Sequence, residues 1–212
     1  MKSLLVLLLT ASIIILMSCG EKFDELKNVA EVIKNAPEAA EEMSKSIDMS
    51  EKRREERVRK GDTLALHFSE LQKYLPESLD GFTSDEPNGQ STNITGFSMS
   101  TVERTYRNDE TGRTIRINLM DYNESYAMFA GVAYWASLGL STETSDGFQK
   151  TVKTDIDHVS GFEEFSKSRK NAKLSYAIGY RFMLTIEDNQ ADNIDYIKKI
   201  ADKIDIKKLA NM

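Results

Sequence analysis

The stretch Arg113-Thr114-Ile115-Arg116-Ile117-Asn118-Leu119-Met120-Asp121-Tyr122 decides the fold. Ile115, Ile117 and Leu119 alternate with Arg116, Asn118 and Met120, a period of two that marks a strand with one buried face. Before it, Asn108-Asp109-Glu110-Thr111-Gly112 reads as a turn, and residues 96–107 carry Phe97, Met99, Val102 and Tyr106 as a strand with a phase slip. Together they predict an antiparallel hairpin. After it, Asn123 or Ser125 can cap a helix over 125–138, with Tyr126, Phe129 and Ala136 on its apolar face and Gly139 at its end.

Further along, Phe148 with Val152, then Phe162 with Phe165, mark two more strands. Leu174, Tyr176 and Ile178 alternate, Gly179 punctuates, and Phe182, Leu184 and Ile186 alternate again. Asp192 is positioned to cap a last helix whose apolar face is Ile194, Ile197, Ile200 or Ala201, and Ile204. Upstream, Asp62-Thr63 precede Leu64, Phe68, Leu71 and Leu75, which share one helical face ending before Pro76. Residues 83–95 are polar, contain Pro87 and Asn88-Gly89, and read as a surface loop. The expected order is α-β-β-α-β-β-β-β-α. That is an α+β domain over 62–212, with an antiparallel sheet of about six strands and helices packed on one face.

Residues 21–60 have a different texture. Leu26, Ile33, Ala40 and Ile47 are seven apart, with Ala36 and Met43 between them, on a background of Glu and Lys. Pro37 interrupts this stripe and predicts a kink or break. From Glu51 to Lys60 every residue but Val58 is charged, and Glu55–Arg59 and Glu56–Lys60 have the spacing of helical ion pairs. Residues 19–61 are thus expected to be a charged helical stalk holding the domain away from its attachment point. A coiled-coil seam is the alternative, disfavoured because alanine is weak at core positions.

The first eighteen residues read as a signal peptide. Lys2 precedes the apolar run 4–17, broken only by Thr10 and Ser12. Fourteen residues are short of the roughly 20 needed to span a bilayer and suit a signal-peptide core. The run ends in Leu16-Met17-Ser18-Cys19-Gly20, which resembles the lipobox of bacterial lipoproteins. That resemblance implies cleavage before Cys19, lipid on its thiol, and residence on a membrane of the cell envelope, on its periplasmic or outer side. Cys19 is the chain's single cysteine, so no disulfide framework is available. The 212 residues carry a net charge of −6, and −7 once Lys2 is cleaved away. That sign argues against nucleic acid as a partner.

Several phrases resemble a family of uncharacterised bacterial envelope proteins, in the same order, over about 64–210. They include Leu75-Pro76, Gly96-Phe97-Ser98-Met99-Ser100, Val102-Glu103-Arg104 with Tyr106, Asp146-Gly147-Phe148-Gln149-Lys150 and Gly179-Tyr180-Arg181-Phe182. The element order is also similar to PsbP/Mog1-like folds, which implies an accessory or binding module.

No grouping of residues announces catalysis. His67 and His158 are the two histidines. His158 follows Asp155-Ile156-Asp157, but further zinc ligands are wanting. Residues 188–193 depart from a calcium loop at its glycine, which is Asn193, and at its closing acid, which is Lys199. Neither GxSxG nor a phosphate-binding glycine loop occurs. No catalytic residue, metal or cofactor is therefore expected. Tyr134 and Trp135 lie off the main stripe of their helix and are candidates for a contact surface with an envelope protein or small ligand. The reading is a membrane-anchored, non-catalytic binding or accessory module. The alternatives are a hydrolase using dispersed carboxylates (Glu103, Asp121, Glu163 or Glu164) and a structural spacer.

Overall fold

A computed structural model describes residues 36–123 and 141–212. Residues 41–212 form one compact unit. It is α+β, dominated by an antiparallel sheet of nine strands with a few short helices. The strands are β1 (Thr83–Ser84), β2 (Asn88–Ile94), β3 (Phe97–Arg107), β4 (Thr114–Asp121), β5 (Ser141–Glu143), β6 (Gly147–Lys153), β7 (Val159–Ser166), β8 (Asn171–Ile178) and β9 (Phe182–Asp188). The helices are α1 (Ala36–Arg59), α2 (Phe68–Leu71) with a 3-10 turn Gln72–Tyr74, α3 (Asp195–Ala201) and α4 (Ile206–Ala210). Among the described residues no helix is long and apolar enough to cross a membrane.

The strands lie in the order β1-β3-β4-β9-β8-β7-β6-β5, with β2 beside β1 against the same edge of β3. After β4 the chain resumes at the far edge with β5 and winds back strand by strand. β9 thus returns to pair with β4, with Ile117 facing Ile186 and Leu119 facing Leu184. The alternation read from residues 113–122 is present: Ile115, Ile117 and Leu119 are fully buried. They share one face with Val102, Tyr106, Leu174, Ile178, Leu184 and Ile186. Leu71, Leu75 and Leu79 cover that face at one side, and Ile197, Ile200, Ile204 and Leu209 at the other. Burying an aliphatic side chain of this kind contributes ~1.5–3 kcal/mol, so this layer dominates the stability of the unit.

Five expectations change. The polar stretch 83–95 is not a loop but supplies β1 and β2. An edge strand needs only ladder hydrogen bonds on one side and tolerates a polar sequence on the other. Gly89 sits within β2 rather than in a turn, and a Cβ there would lie 2.7 Å from the Phe68 ring. Strand β3 has no phase slip. Its core-facing positions begin with the small polar residues Ser98 and Ser100, both buried, and Phe97 and Met99 occupy the opposite face.

The helix expected from Leu64 begins at Phe68, and Leu64 is 56% exposed. His67, not Asp62 or Thr63, is its N-cap, its Nδ1 accepting from the Ser69 N–H at 3.3 Å. The last helix is divided. Asp192 does not cap it; the Asn193 side chain accepts from the Asp195 N–H at 2.9 Å, and Asp205 then caps α4 through the Lys208 N–H at 2.9 Å. The sheet, finally, has nine described strands where six were expected. The additions are short or polar (β1, β2, β5), without the apolar alternation that announces a half-buried strand.

Helix α1 places Pro37 in its first turn, where a missing N–H is tolerated. Its far end is not a free surface helix. Arg57 is buried, and Arg53 Nη2 donates to the Ala210 carbonyl at 2.8 Å. The expected helix over 125–138 lies outside the described residues.

Candidate functional site

Residues 62–67 form neither helix nor strand, with a bend at Leu64, because side chains distant in the chain satisfy their backbone. Ala65 N–H donates to Ser98 Oγ (2.7 Å) and Leu66 N–H to Asp121 Oδ2 (2.8 Å). The Thr63 carbonyl accepts from Asn123 Nδ2 (2.9 Å) and the Leu64 carbonyl from Arg181 Nη2 (3.2 Å). Each bond substitutes for one a helix would have made, which is why the helical pattern from Leu64 is not realised.

Arg181 is the centre of this strap. It leaves the turn Gly179-Tyr180, whose two residues both have φ near +60°, and enters the core face at 1% exposure. Its Nε and Nη2 grip Asp121 bidentately at 2.9 and 2.8 Å, and its Nη1 reaches Asp62 at 2.7 Å. Burial alone would lower its pKa. The Asp121 hydrogen bonds and charge, with Asp62, outweigh this and hold the guanidinium above its ordinary value. Asp121 also accepts from Asn123 N–H at 2.9 Å. Both its oxygens are therefore engaged by a guanidinium and two amides, which leaves it no role as a general base.

Arg57 of α1 lies in the same cluster. Its Nη2 donates to the Asn123 carbonyl at 3.2 Å, while Nε and Nη1 are buried without a hydrogen-bond partner. Burial, and then repulsion from Arg181, push its pKa below the usual arginine value. A second, partly buried pair closes the other end of β9. There Arg113 holds Asp188 through Nε (3.1 Å) and Nη2 (2.5 Å), with its guanidinium 4.7 Å from the Tyr196 ring. That hydrogen bond holds Arg113 above its ordinary pKa.

The opposite face of the sheet carries a row of alternating charges. Glu103, Arg116, Glu187 and Lys173 follow one another across β3, β4, β9 and β8, with contacts of 3.4, 3.9 and 3.0 Å. With Asn118 and Thr185 they line a depression of about 300 Å³. All four are partly exposed, so each pair contributes roughly 0–1 kcal/mol. The depression offers both donors and acceptors, chemistry suited to a polar contact.

The remaining expected residues do not converge. Glu163 is fully buried on the core face of β7. Lys198 Nζ lies 2.7 Å from Oε1 but off hydrogen-bond alignment, and Lys150 Nζ at 3.6 Å from Oε2 is beyond hydrogen-bond distance, so neither oxygen is hydrogen-bonded. Glu164 points to the other face, 3.8 Å from Arg169. Asp121 and Glu163 share a face but stand three strands apart and four residues out of line, roughly 20 Å at sheet spacings. His67 serves as a helix cap. His158 takes a left-handed turn conformation (φ 62°) with its ring 5.5 Å from that of Tyr180. Among the described residues no three His, Cys, Asp or Glu side chains gather as metal ligands. Asp188, first of the calcium-like run, is committed to Arg113. Cys19, Tyr134 and Trp135 lie outside the described residues.

Sequence reasoning passed over Arg181, Asp62, Arg57 and the Arg113–Asp188 pair. A signal existed for Arg181, a lone charge entering the apolar run Phe182-Met183-Leu184. The fold and these sites define a broadly α+β protein whose buried acids Asp121, Glu163 and Asp188 each lie against a cationic side chain. Comparison with protein-family models, curated proteins and solved structures gave no match for the chain.

Proposed function

We propose that this protein is an envelope lipoprotein, held on a membrane by lipid on Cys19, whose sheet unit acts as a non-catalytic binding or accessory module. The carrying observation for the address is the run Leu16-Met17-Ser18-Cys19-Gly20 at the end of a fourteen-residue apolar stretch. For the module, support comes from the fate of the four acids a hydrolase would have drawn on. Asp121 is saturated by Arg181, Glu163 is buried between two lysines, and Glu103 and Glu164 contact arginines on the opposite face. No two of them face each other, so the split pKa values of an acid–base pair have no geometric basis. The charged depression on the exposed face is the natural contact surface of such a module.

The address is tested by growing cells with a clickable fatty acid. Label is expected on the unaltered protein and absent from Cys19→Ala; equal labelling of both refutes it. The module is tested by in-cell cross-linking with mass spectrometry, where one reproducible neighbour attached through 62–212 is expected. Turnover of a hydrolysable substrate that is abolished by Glu163→Gln would refute it.

A further inference from the structure

The two edges of the sheet are guarded very differently. At one edge β5 is three residues long and ends in Glu143. At the other, β2 is seven residues long and pairs with β3 in unbroken register from Asn88–Glu103 to Ile94–Phe97. No described strand lies against its outer side. Proteins ordinarily blunt such an edge with charge, proline, a bulge or brevity. β2 has none of these within Asn88–Ile94. From Asn88 to Thr101 there is no charged residue, in a chain that is 29% charged. Ile94, at the end of the strand, is 68% exposed.

We infer that the outer edge of β2 is an interaction surface that pairs with β2 of a second copy of this chain, antiparallel about a two-fold axis. Self-pairing is favoured because an antiparallel edge is complementary to itself. With the axis at Ser91, Gln90 faces Thr92 of the other copy, and Asn88 faces Ile94, so no like charges meet. A charged partner would find nothing on this strand to select it. The ribbon is about 24 Å long, small beside a standard interface of roughly 1,600 Å², so the association is reversible and rises with concentration. This goes beyond the anchored-module reading and stands whether or not Cys19 is lipidated.

The test uses the full chain in detergent, by sedimentation over a concentration series. The unaltered protein is expected to pass from monomer to dimer. Q90K/T92K, which sets lysine against lysine across the axis, is expected to weaken the dimer about tenfold or more. Mixing Q90K/T92K with Q90E/T92E is expected to restore association. In the unaltered protein, amide hydrogen exchange should slow at alternate residues of 88–94 as concentration rises, a readout independent of whether the variants fold. A monomer at every concentration overturns the inference. So does a dimer that survives in Q90K/T92K, which would place the contact elsewhere, such as the seam in residues 21–60.

Discussion

Replacing Asp121 with alanine removes the anchor of the strap, and its effect can be worked from the contacts. Asp121 is wholly buried and takes a bidentate pair from Arg181 and amide bonds from Leu66 and Asn123. Its loss leaves a guanidinium with side-chain exposure of 2% facing only the partly exposed Asp62. Breaking a buried pair on one side costs about 3–5 kcal/mol. Two buried amides lose their acceptor as well, each worth about 1–3 kcal/mol if water cannot replace it. These terms overlap, and a net loss of about 4–6 kcal/mol is expected, a large part of a typical domain stability of roughly 5–15 kcal/mol. Urea unfolding followed by far-UV circular dichroism measures it. The double variant Asp121→Leu/Arg181→Met should recover part of the loss by removing the orphaned charge, but not the two amides. A loss below about 1 kcal/mol for Asp121→Ala would refute the view that this pair organises residues 62–67.

Four further outcomes follow from the same geometry. Arg57→Met should change urea stability by no more than about 1 kcal/mol, because it trades one 3.2 Å hydrogen bond for the removal of two unpartnered buried donors. Gly147→Ala should lose about 2–3 kcal/mol or more by the same assay, since its Cβ would fall 1.9 Å from the Phe165 carbonyl oxygen, a backbone atom that cannot swing away. Leu64→Ser should stay within about 0.5 kcal/mol while Leu71→Ala loses about 2–5 kcal/mol, a contrast opposite to that of a helix starting at Leu64. Burial raises the pKa values of Tyr106, Tyr122, Tyr176 and Tyr196 above 10.0, with Glu163 and Asp202 adding to the effect at Tyr176. The unfolded chain therefore releases these protons first. Their contribution is fully present below pH 10 and is lost as pH rises through the folded values. Thermal melts from pH 8 to 11, with tyrosinate absorbance, should show stability falling on the alkaline side.

Much of the sheet was legible because burial on one face leaves a period of two. β4, β8 and β9 carry that signature without interruption in Ile115-Ile117-Leu119, Leu174-Tyr176-Ile178 and Phe182-Leu184-Ile186. β2 was not legible. An edge strand gains its place from β3's unpaired hydrogen-bonding groups, and Asn88–Ile94 has no apolar alternation to announce it. The start of β3 was misread for a related reason: Ser98 and Ser100 are buried as hydrogen-bonding partners of the strap and of β2, not as apolar residues.

What the sequence determined by itself are the properties carried by neighbours in the chain. They are the apolar run ending at Cys19, the charged stretch 51–60, the α+β class and the central strands. Tertiary structure alone decided the pairing of β4 with β9, the non-helical path of residues 62–67, and the commitment of Asp121, Asp188 and Glu163 to cations distant in the chain. The reason is physical. Local periodicity reports which face is buried, but a buried charge must find its partner in space. Arg181 finds Asp121 sixty residues away, a distance over which no local pattern carries information.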